Sequence, residues 1–457
     1  MRVPKIDELL GMGVYVTKTP GVRGVIRKSV NDFMVEEILL DMSKAQIENG
    51  VKGPSLGASL TKQEYLLCIL VKRNWDTFIA IKNIAKELNK CQDQIKIAGI
   101  KDAKAVTAQH ITIQHASVED VKDVCIKDIE LRPVGYLRKE LSTYYLLGNS
   151  FRIKIKDIAN SESNIRKKTA KTKEELELAG GIPNYFGHQR FGTTRPITHL
   201  VGKALLKGDF AKAAMIFLAQ PSYYEHPSSR QARKNLQSTQ NFKQALENFP
   251  KQLRYERLML IHLVQKQDDF VGAFRRLPAK LQALFVQAYQ SYLFNRFLTA
   301  RIKQGITLNE AELGDWVVRV ERSGLPMMNT AKIVSSDNSS EIERLLKNGK
   351  MRVALPIVGC NPQISRGGMG QMQRQILDEE EVNLDNFKIR DLPTMEARGG
   401  LRPITAPIRD FEIHDVSFTP GDRGLETLLS FVLLRGCYAT VLLREIMKPN
   451  SPICSGF

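Results

Sequence analysis

Gly99-Ile100-Lys101-Asp102-Ala103-Lys104-Ala105-Val106-Thr107-Ala108-Gln109 is the stretch on which the reading of the fold turns. Just before it, Ile95 and Ile97 alternate with polar neighbours as a short strand, and His110-Ile111-Thr112-Ile113 predicts a second strand just after it. Gly99 permits a tight backbone between the two. A carboxylate therefore stands on a strand-to-strand turn between two lysines, whose charge favours its ionised form. Such a group suits a nucleophile or a base. An ordinary charged turn has the same composition, and this segment alone does not separate the two readings.

Working outward, strands and helices interleave. Residues 22–38 hold short β-rich runs (Val25-Ile26, Phe33-Met34-Val35), and residues 41–62, with Gly50, Gly53 and Gly57, read as a flexible loop. A helix is predicted over 74–90, capped by Asn74 or Asp76, with Phe78, Ile81, Ala85 and Leu88 as its apolar stripe. Phe151, Ile153 and Ile155 alternate with Arg152, Lys154 and Lys156 as in a half-buried strand. A basic helix follows over 161–179, and Gly180-Gly181 can stop it. From Pro196 to about Gly305 helical periodicity dominates (Leu281, Leu284, Phe285, Ala288, Tyr292, Phe297), and the polar, basic residues 226–240 are expected to be mobile. Short strands return at Trp316-Val317-Val318 and Arg352-Val353-Ala354-Leu355. A helical piece follows over 371–381, then β-rich runs over 412–418 and 431–434, and a closing helix over 439–447. This pattern predicts an α+β layer fold whose middle is a separate domain.

At 457 residues the chain is long enough for roughly two to three domains. Its 43% hydrophobic and 25% charged residues exclude a disordered or collagen-like chain. Lys plus Arg outnumber Asp plus Glu by 67 to 49, a formal charge of +18 that favours a polyanionic partner, nucleic acid before membrane. The six cysteines form no CxxC pair and read as reduced thiols of a cytoplasmic protein. The longest apolar region, 425–443, is interrupted by Arg435 and Gly436, so no membrane span is expected. No metal site stands out: His110 and His115, five apart on one predicted strand, face opposite sides. Gly367-Gly368-Met369-Gly370 fits neither a phosphate loop nor a dinucleotide fingerprint, and no GxSxG elbow occurs.

A second unusual segment is Pro183-Asn184-Tyr185-Phe186-Gly187-His188-Gln189-Arg190-Phe191-Gly192. Its aromatics, amides and arginine between glycines can stack on a base and bond its edges, or can form a compact apolar loop. Together the two segments resemble the TruD family of tRNA pseudouridine synthases. Gly99 to Gln109 matches a GxKDxxAxTxQ motif, and Asn184 to Gly192 matches NYFGxQRFG. Gly436-Cys437-Tyr438-Ala439-Thr440-Val441-Leu442-Leu443-Arg444-Glu445 resembles GSYATxxLRE, with Cys437 where the family has serine. Gln290-Ser291-Tyr292-Leu293-Phe294-Asn295 and Leu355-Pro356-Ile357-Val358-Gly359 resemble further family segments, in family order along the chain.

The resemblance implies a pseudouridine-synthase catalytic core, a mixed and mostly antiparallel sheet with flanking helices. An α/β TruD-specific domain is inserted into it. The core would comprise 1–205 and 411–457 and the insertion 206–410, so that the last strands return to the core and bring Tyr438 beside Asp102. The implied reaction is isomerisation of uridine to pseudouridine in tRNA, at position 13, after base flipping, with no metal and no cofactor. Asp102 would be the essential carboxylate. An ionised, buried carboxylate needs a cation: Arg27 is the candidate and Lys101 the runner-up. Phe33 and Tyr438 would stack on the base, Phe186 would pack against sugar or base, Asn184 would position the nucleotide, and Gln189 and Arg190 would complete the substrate site. Arg166-Lys167-Lys168 with Lys171 and Lys173, Arg230 with Arg233-Lys234, and Arg275-Arg276 are the candidate phosphate contacts of a monomer whose partner is tRNA. The competing reading is a non-catalytic tRNA-binding or RNA-folding protein of the same fold, which would have no need of Asp102.

Overall fold

The strands of the main sheet differ in burial: Leu146–Ile158 alternates buried and half-buried residues from Phe151 to Lys156, whereas Tyr65–Arg73 and Val106–Gln114 are buried nearly throughout. The computed structural model describes residues 1–48, 55–361, 363–418 and 423–457. Its first strands are Phe33–Leu39 (β1), Tyr65–Arg73 (β2), Ile95–Ile97 (β3), Val106–Gln114 (β4), Ile129–Leu137 (β5) and Leu146–Ile158 (β6). A two-residue strand, Ile182–Pro183 (β7), precedes the helical middle. Four strands then follow: Trp316–Arg319 (β8), Lys332–Ile333 (β9), Met351–Ile357 (β10) and Gly400–Pro403 (β11). The last three are Thr405–Ala406 (β12), Arg409–Phe418 (β13) and Leu425–Leu434 (β14). The main sheet runs β13-β14-β6-β1-β4-β2-β5, with β3 added on β4. Among the described residues β1 and β4 are parallel, and the other neighbours in this sheet are antiparallel.

The sheet places the three motifs. β14 lies along β6 from Leu425 opposite Ile158 to Leu434 opposite Gly148. Phe151 on β6 stacks on Phe431 of β14 and meets Phe33 of β1 edge-on. On this face lie the helices Glu162–Leu178 and Ala439–Met447, which supply Ile165, Leu176, Leu442, Leu443 and Ile446 to one buried cluster with Phe151, Ile153 and Leu429. Helix Thr77–Glu87 covers the β2–β4 side through Ile81, Ile84 and Ala85. Its predicted stripe is corrected at one end: the Asp76 carboxylate caps the helix by accepting from the N–H groups of Phe78 and Ile79, and in the first turn Thr77 and Ala80 face inward while Phe78 is exposed.

The middle is helical from Thr198–Leu206 to the 25-residue helix Ala279–Lys303, which is buried on several sides. A second sheet, β11-β10-β8-β9, packs its Val317, Val353 and Leu355 into the same apolar cluster. Residues 226–240 are not a mobile stretch. They form the helix Pro227–Thr239, because Arg233 is buried and bonds Glu225 (2.9 Å) and Glu256 (2.6 Å) as well as the carbonyls of Phe217 and Leu218. Of the loop expected over 41–62, residues 49–54 lie outside the described residues, and Ser55–Gly57 forms a short 3-10 turn. Among the described residues no helix is long and apolar enough to cross a membrane.

One buried histidine makes this middle region sensitive to acid. His199 stacks on Tyr292 and meets Phe191 edge-on, and burial pushes its imidazole down to about 4. The unfolded chain takes that proton near the ordinary value of about 6.5, so between those values it binds more protons than the folded one. Stability at this site is full above that ordinary value and falls as the pH drops toward 4. Urea midpoints should therefore fall on going from pH 7 to pH 5, and less steeply in His199→Asn.

Candidate active site

The loop from Ala98 to Ala105 joins β3 to β4, and two adjacent side chains part within it, Lys101 buried and Asp102 half-buried. Lys101 turns inward, where its ammonium is 2.5 Å from Glu37 Oε1. Glu37 Oε2 also accepts from the main-chain N–H of His110 (2.9 Å). Asp102, next in sequence, turns outward, with 27% of its side chain exposed. Lys101 is therefore neither the partner of Asp102 nor a surface that substrate could touch, which corrects both expectations for it.

The backbone of this loop is pinned from below. Thr77 Oγ1 accepts from Lys101 N–H (3.2 Å) and donates to its carbonyl (3.1 Å). Lys72, the fully buried end of an otherwise apolar strand, donates to the carbonyls of Asp102 (2.8 Å) and Trp75 (2.7 Å). Burial pushes the Lys72 ammonium down to about 8, against the pull of the Asp102 and Asp76 carboxylates. Lys72→Met keeps the stem and removes the donor. The expected result is a fall in kcat of about 10- to 100-fold from misplacement of Asp102, with KM little changed; steady-state kinetics on the RNA substrate reads this split.

The carboxylate has two partners. Arg27 Nη2 donates to Asp102 Oδ1 at 3.0 Å and Gln189 Nε2 to the same oxygen at 2.7 Å, so Oδ2 keeps its lone pairs for a further partner. Arg27 sits in the left-handed region (φ 60°), which a side chain adopts only when its surroundings hold it there. They do: Nη1 donates to the Gly456 carbonyl (3.0 Å), and the guanidinium lies 3.9 Å from the centre of the Phe33 ring. Burial pushes this guanidinium below its usual value, and Asp102 opposes the shift. Phe33 is thus a buried platform under Arg27, 1% exposed, and not the open stacking face expected of it. A cavity of about 370 Å3 adjoins the pair, lined by Arg27, Asp102, Lys104, Gln189, Thr193 and Phe457 among others.

The second motif runs beside the closing helix. A Cβ on Gly187 would come within 3.0 Å of the Tyr438 ring and 2.9 Å of Thr440 Oγ1, so glycine is what lets the two motifs touch. Phe186 meets Tyr438 and Phe294 edge-on, at 6.2 and 5.6 Å between ring centres. Asn184 donates from Nδ2 to the Pro403 carbonyl (2.9 Å) and accepts at Oδ1 from Arg402 Nη2 (2.6 Å). Arg402 also covers the Phe186 ring at 4.1 Å. Arg190 Nε donates to Ser291 Oγ (3.0 Å) in the helix Ala279–Lys303. The expected site residues therefore fall in two groups. Asp102, Arg27 and Gln189 surround one cavity. Asn184, Phe186 and Tyr438 gather at Arg402, and Tyr438 does not line the cavity at Asp102.

The third motif is partly a clamp. Arg444, with no exposed surface, bonds Asp7 Oδ2 (2.5 Å) and the carbonyls of Met12 (2.7 Å) and Val14 (2.9 Å). Glu445 accepts from the N–H and hydroxyl of Thr17 (3.1 and 2.7 Å). Asp7 Oδ1 in turn meets His188 Nε2 at 2.7 Å, which joins this clamp to the second motif. Of the basic clusters, Arg233 is buried in ion pairs and cannot reach a phosphate, and Arg275 donates to the Asp391 carbonyl. Among the described residues no group of three or more His, Cys, Asp and Glu side chains could hold a metal ion.

Sequence reasoning missed Arg402 and Lys72. Arg402 acts 218 residues from Asn184 and carries no local signal. A lysine closing the apolar run Leu66–Val71 was the signal for Lys72, because a buried ammonium needs a carbonyl or carboxylate to meet it.

Comparison with known proteins gives the chain a family. The family model for "tRNA pseudouridine synthase D (TruD)" matches residues 9–446. A protein of Methanosarcina barkeri named "Probable tRNA pseudouridine synthase D" is 38% identical, covering 98% of this chain and 98% of its own. One of the same name from Pyrococcus abyssi is also 38% identical, covering 95% and 98%. The crystal structure of the "Putative tRNA pseudouridine synthase D (TruD)" from Methanosarcina mazei superimposes with a TM-score of 0.80 at 36% identity, over 98% of this chain and 99% of that one. With the family model, the sequence relatives and the solved structure each covering nearly the whole chain, the chain belongs to the TruD family of tRNA pseudouridine synthases.

Proposed function

We propose that this chain isomerises uridine to pseudouridine in tRNA, at position 13, with Asp102 as the essential carboxylate. The observation that carries the reading is the Asp102 carboxylate facing a cavity, bonded through one oxygen to Arg27 and Gln189 and, among the described residues, without a hydrogen-bond partner at the other. The reaction breaks the N1–C1′ bond, turns the base and forms a C5–C1′ bond; C5 loses a proton, N1 gains one, and nothing is consumed. Asp102 either attacks C1′ or removes a ribose proton. Both roles use the Asp102 carboxylate, which the Arg27 guanidinium orients through its hydrogen bond to Oδ1. The uridine leaves the RNA stack at a cost of a few kcal/mol and is received against Phe186 and Tyr438. Gln189 gives up its bond to Asp102 as the sugar enters. Residues 206–410 act as an insertion that forms the far wall of the RNA cleft.

The test uses unmodified tRNA transcripts containing U13, incubated with the purified protein in buffer without added cofactor. Carbodiimide treatment and primer extension then map any pseudouridine. A new stop at U13 supports the proposal in full. A stop elsewhere keeps the reaction and discards the position. No stop on any transcript, with tRNA still bound, favours the non-catalytic binding reading.

A further inference from the structure

A second cavity, about 300 Å3, lies between the end of β14 and the second sheet, and it shares no lining residue with the cavity at Asp102. Five arginines line it, Arg322, Arg352, Arg402, Arg409 and Arg435, against the single carboxylate of Glu321. Two of the five are occupied. Arg402 holds Asn184 and the Gly436 carbonyl, and Arg435 donates to the Thr143 carbonyl. Arg322, Arg352 and Arg409 have no side-chain hydrogen bond or ion pair among the described residues, and Arg352 is half-buried. Glu321 lies 3.3 Å from the Ser323 hydroxyl and pairs with none of them.

Like charges gathered in a half-buried cavity repel, and partial desolvation adds to the cost. Among the described residues Glu321 is the one carboxylate in the lining, and it pairs with none of the five arginines. Burial pushes the Cys437 thiol, also in the lining, up to about 11, so that side chain stays neutral near pH 7. Burial lowers the Arg352 guanidinium from its usual value, and the charge of Arg409 pushes the same way. An anion would relieve both. Planar guanidinium forks suit phosphate oxygens, which they bind two at a time. Arg322 and Arg409 are exposed, so the cavity is open to solvent and an anionic group carried on a larger molecule can reach it. Arg402 links its floor to Asn184 and Phe186 of the second motif.

We propose that this pocket seats phosphodiester groups of the RNA backbone beside the flipped nucleotide, with Arg352 and Arg409 as its principal contacts. The inference rests on the proposed function for its choice of RNA, but it is read by binding and not by chemistry.

The experiment measures binding of an unmodified tRNA transcript by fluorescence anisotropy across a range of KCl concentrations. The full-length protein is compared with Arg409→Gln and with Arg352→Gln/Arg409→Gln, all in the Asp102→Asn background so that no turnover intervenes. The double variant should bind roughly 10- to 100-fold more weakly at low salt. Its slope of log K against log salt should be shallower by about 0.7–0.9 per lost phosphate contact. Arg409 is exposed, so the single variant tests the idea without threatening the fold and should show about half the slope change. Unchanged affinity and slope in folded variants overturn the proposal. A parallel arm titrates inorganic phosphate and follows thermal unfolding. Stabilisation of the parent but not of the variants, with RNA affinity unchanged, would mark a free-anion site and overturn the RNA assignment. If the pocket contributes to RNA binding but no transcript is modified by the wild-type protein, the proposed reaction fails and the pocket stands.

Discussion

Replacing Asp102 by Asn removes the pseudouridine stop from a U13 transcript, a fall in rate of at least about 10³-fold, while tRNA binding stays within about threefold. Asparagine has nearly the same shape, so the contact from Gln189 and the course of the loop, held by Lys72 and Thr77, persist. What disappears is the negative charge facing Arg27 and the oxygen nucleophile or base. Arg27 is left without its carboxylate but keeps the Gly456 carbonyl and the Phe33 ring, so local order survives. Single-turnover primer extension with excess enzyme measures the chemical step, and anisotropy with the same transcript measures binding. Activity of more than about a tenth of wild type would show that Asp102 is not the essential carboxylate.

Arg444→Ala has the largest expected effect on stability. The guanidinium is buried beside two buried carboxylates, Asp7 and Glu445, and satisfies two main-chain carbonyls. Truncation leaves those groups without their partner in a site closed to water, and breaking a buried pair in this way costs about 3–5 kcal/mol. Burial by itself would raise the Asp7 carboxyl, but Arg444 and His188 together hold it below its ordinary value. The native chain therefore gains stability from Asp7 above the usual carboxylate range and loses it as the pH falls through the lowered value. In the variant Asp7 can escape its cost by taking a proton, so the deficit should narrow between pH 7 and pH 4. Urea unfolding at both values checks the size and the trend; a deficit of less than about 1 kcal/mol at pH 7 would mean that water reaches the site.

Much of the fold could be read from local pattern. The alternation at Phe151, Ile153 and Ile155 located β6, Ser161 and Gly180 bracketed the helix Glu162–Leu178, and the closing helix fell where the apolar spacing put it. Pairing between distant strands was not local. Nothing in residues 425–434 says that their neighbour is β6: the family resemblance implied only that the last strands return to the core, and the pairing with β6 is a finding of the structure. At the site, the Asp102 turn and its need for a cation were legible from charge, whereas the choice of Arg27 over Lys101 rested on the family resemblance of the stretch from Arg27 to Ile38. The direction of Lys101 was not legible, because charge alone does not say which face of an extended segment a side chain takes. Glu37, 64 residues earlier, decides it. Phe33 went wrong for a related reason: an aromatic can serve equally as a stacking face or as the bed for a guanidinium.

The adjacency of β6 and β14 also has a meaning in time. β6 is complete at Ile158, and the strand that covers its open edge begins at Leu425. At ribosomal speeds of about 5–20 residues per second, that edge waits on the order of tens of seconds for its partner. Phe151, Ile153 and Ile155 meanwhile lack the helix and strand that later bury them. During this interval the nascent first half presents an unpaired, apolar β-edge, the kind of surface that recruits other chains. The first half of the sheet is therefore made long before the strand that closes its edge, and during synthesis that edge is the most aggregation-exposed part of the chain.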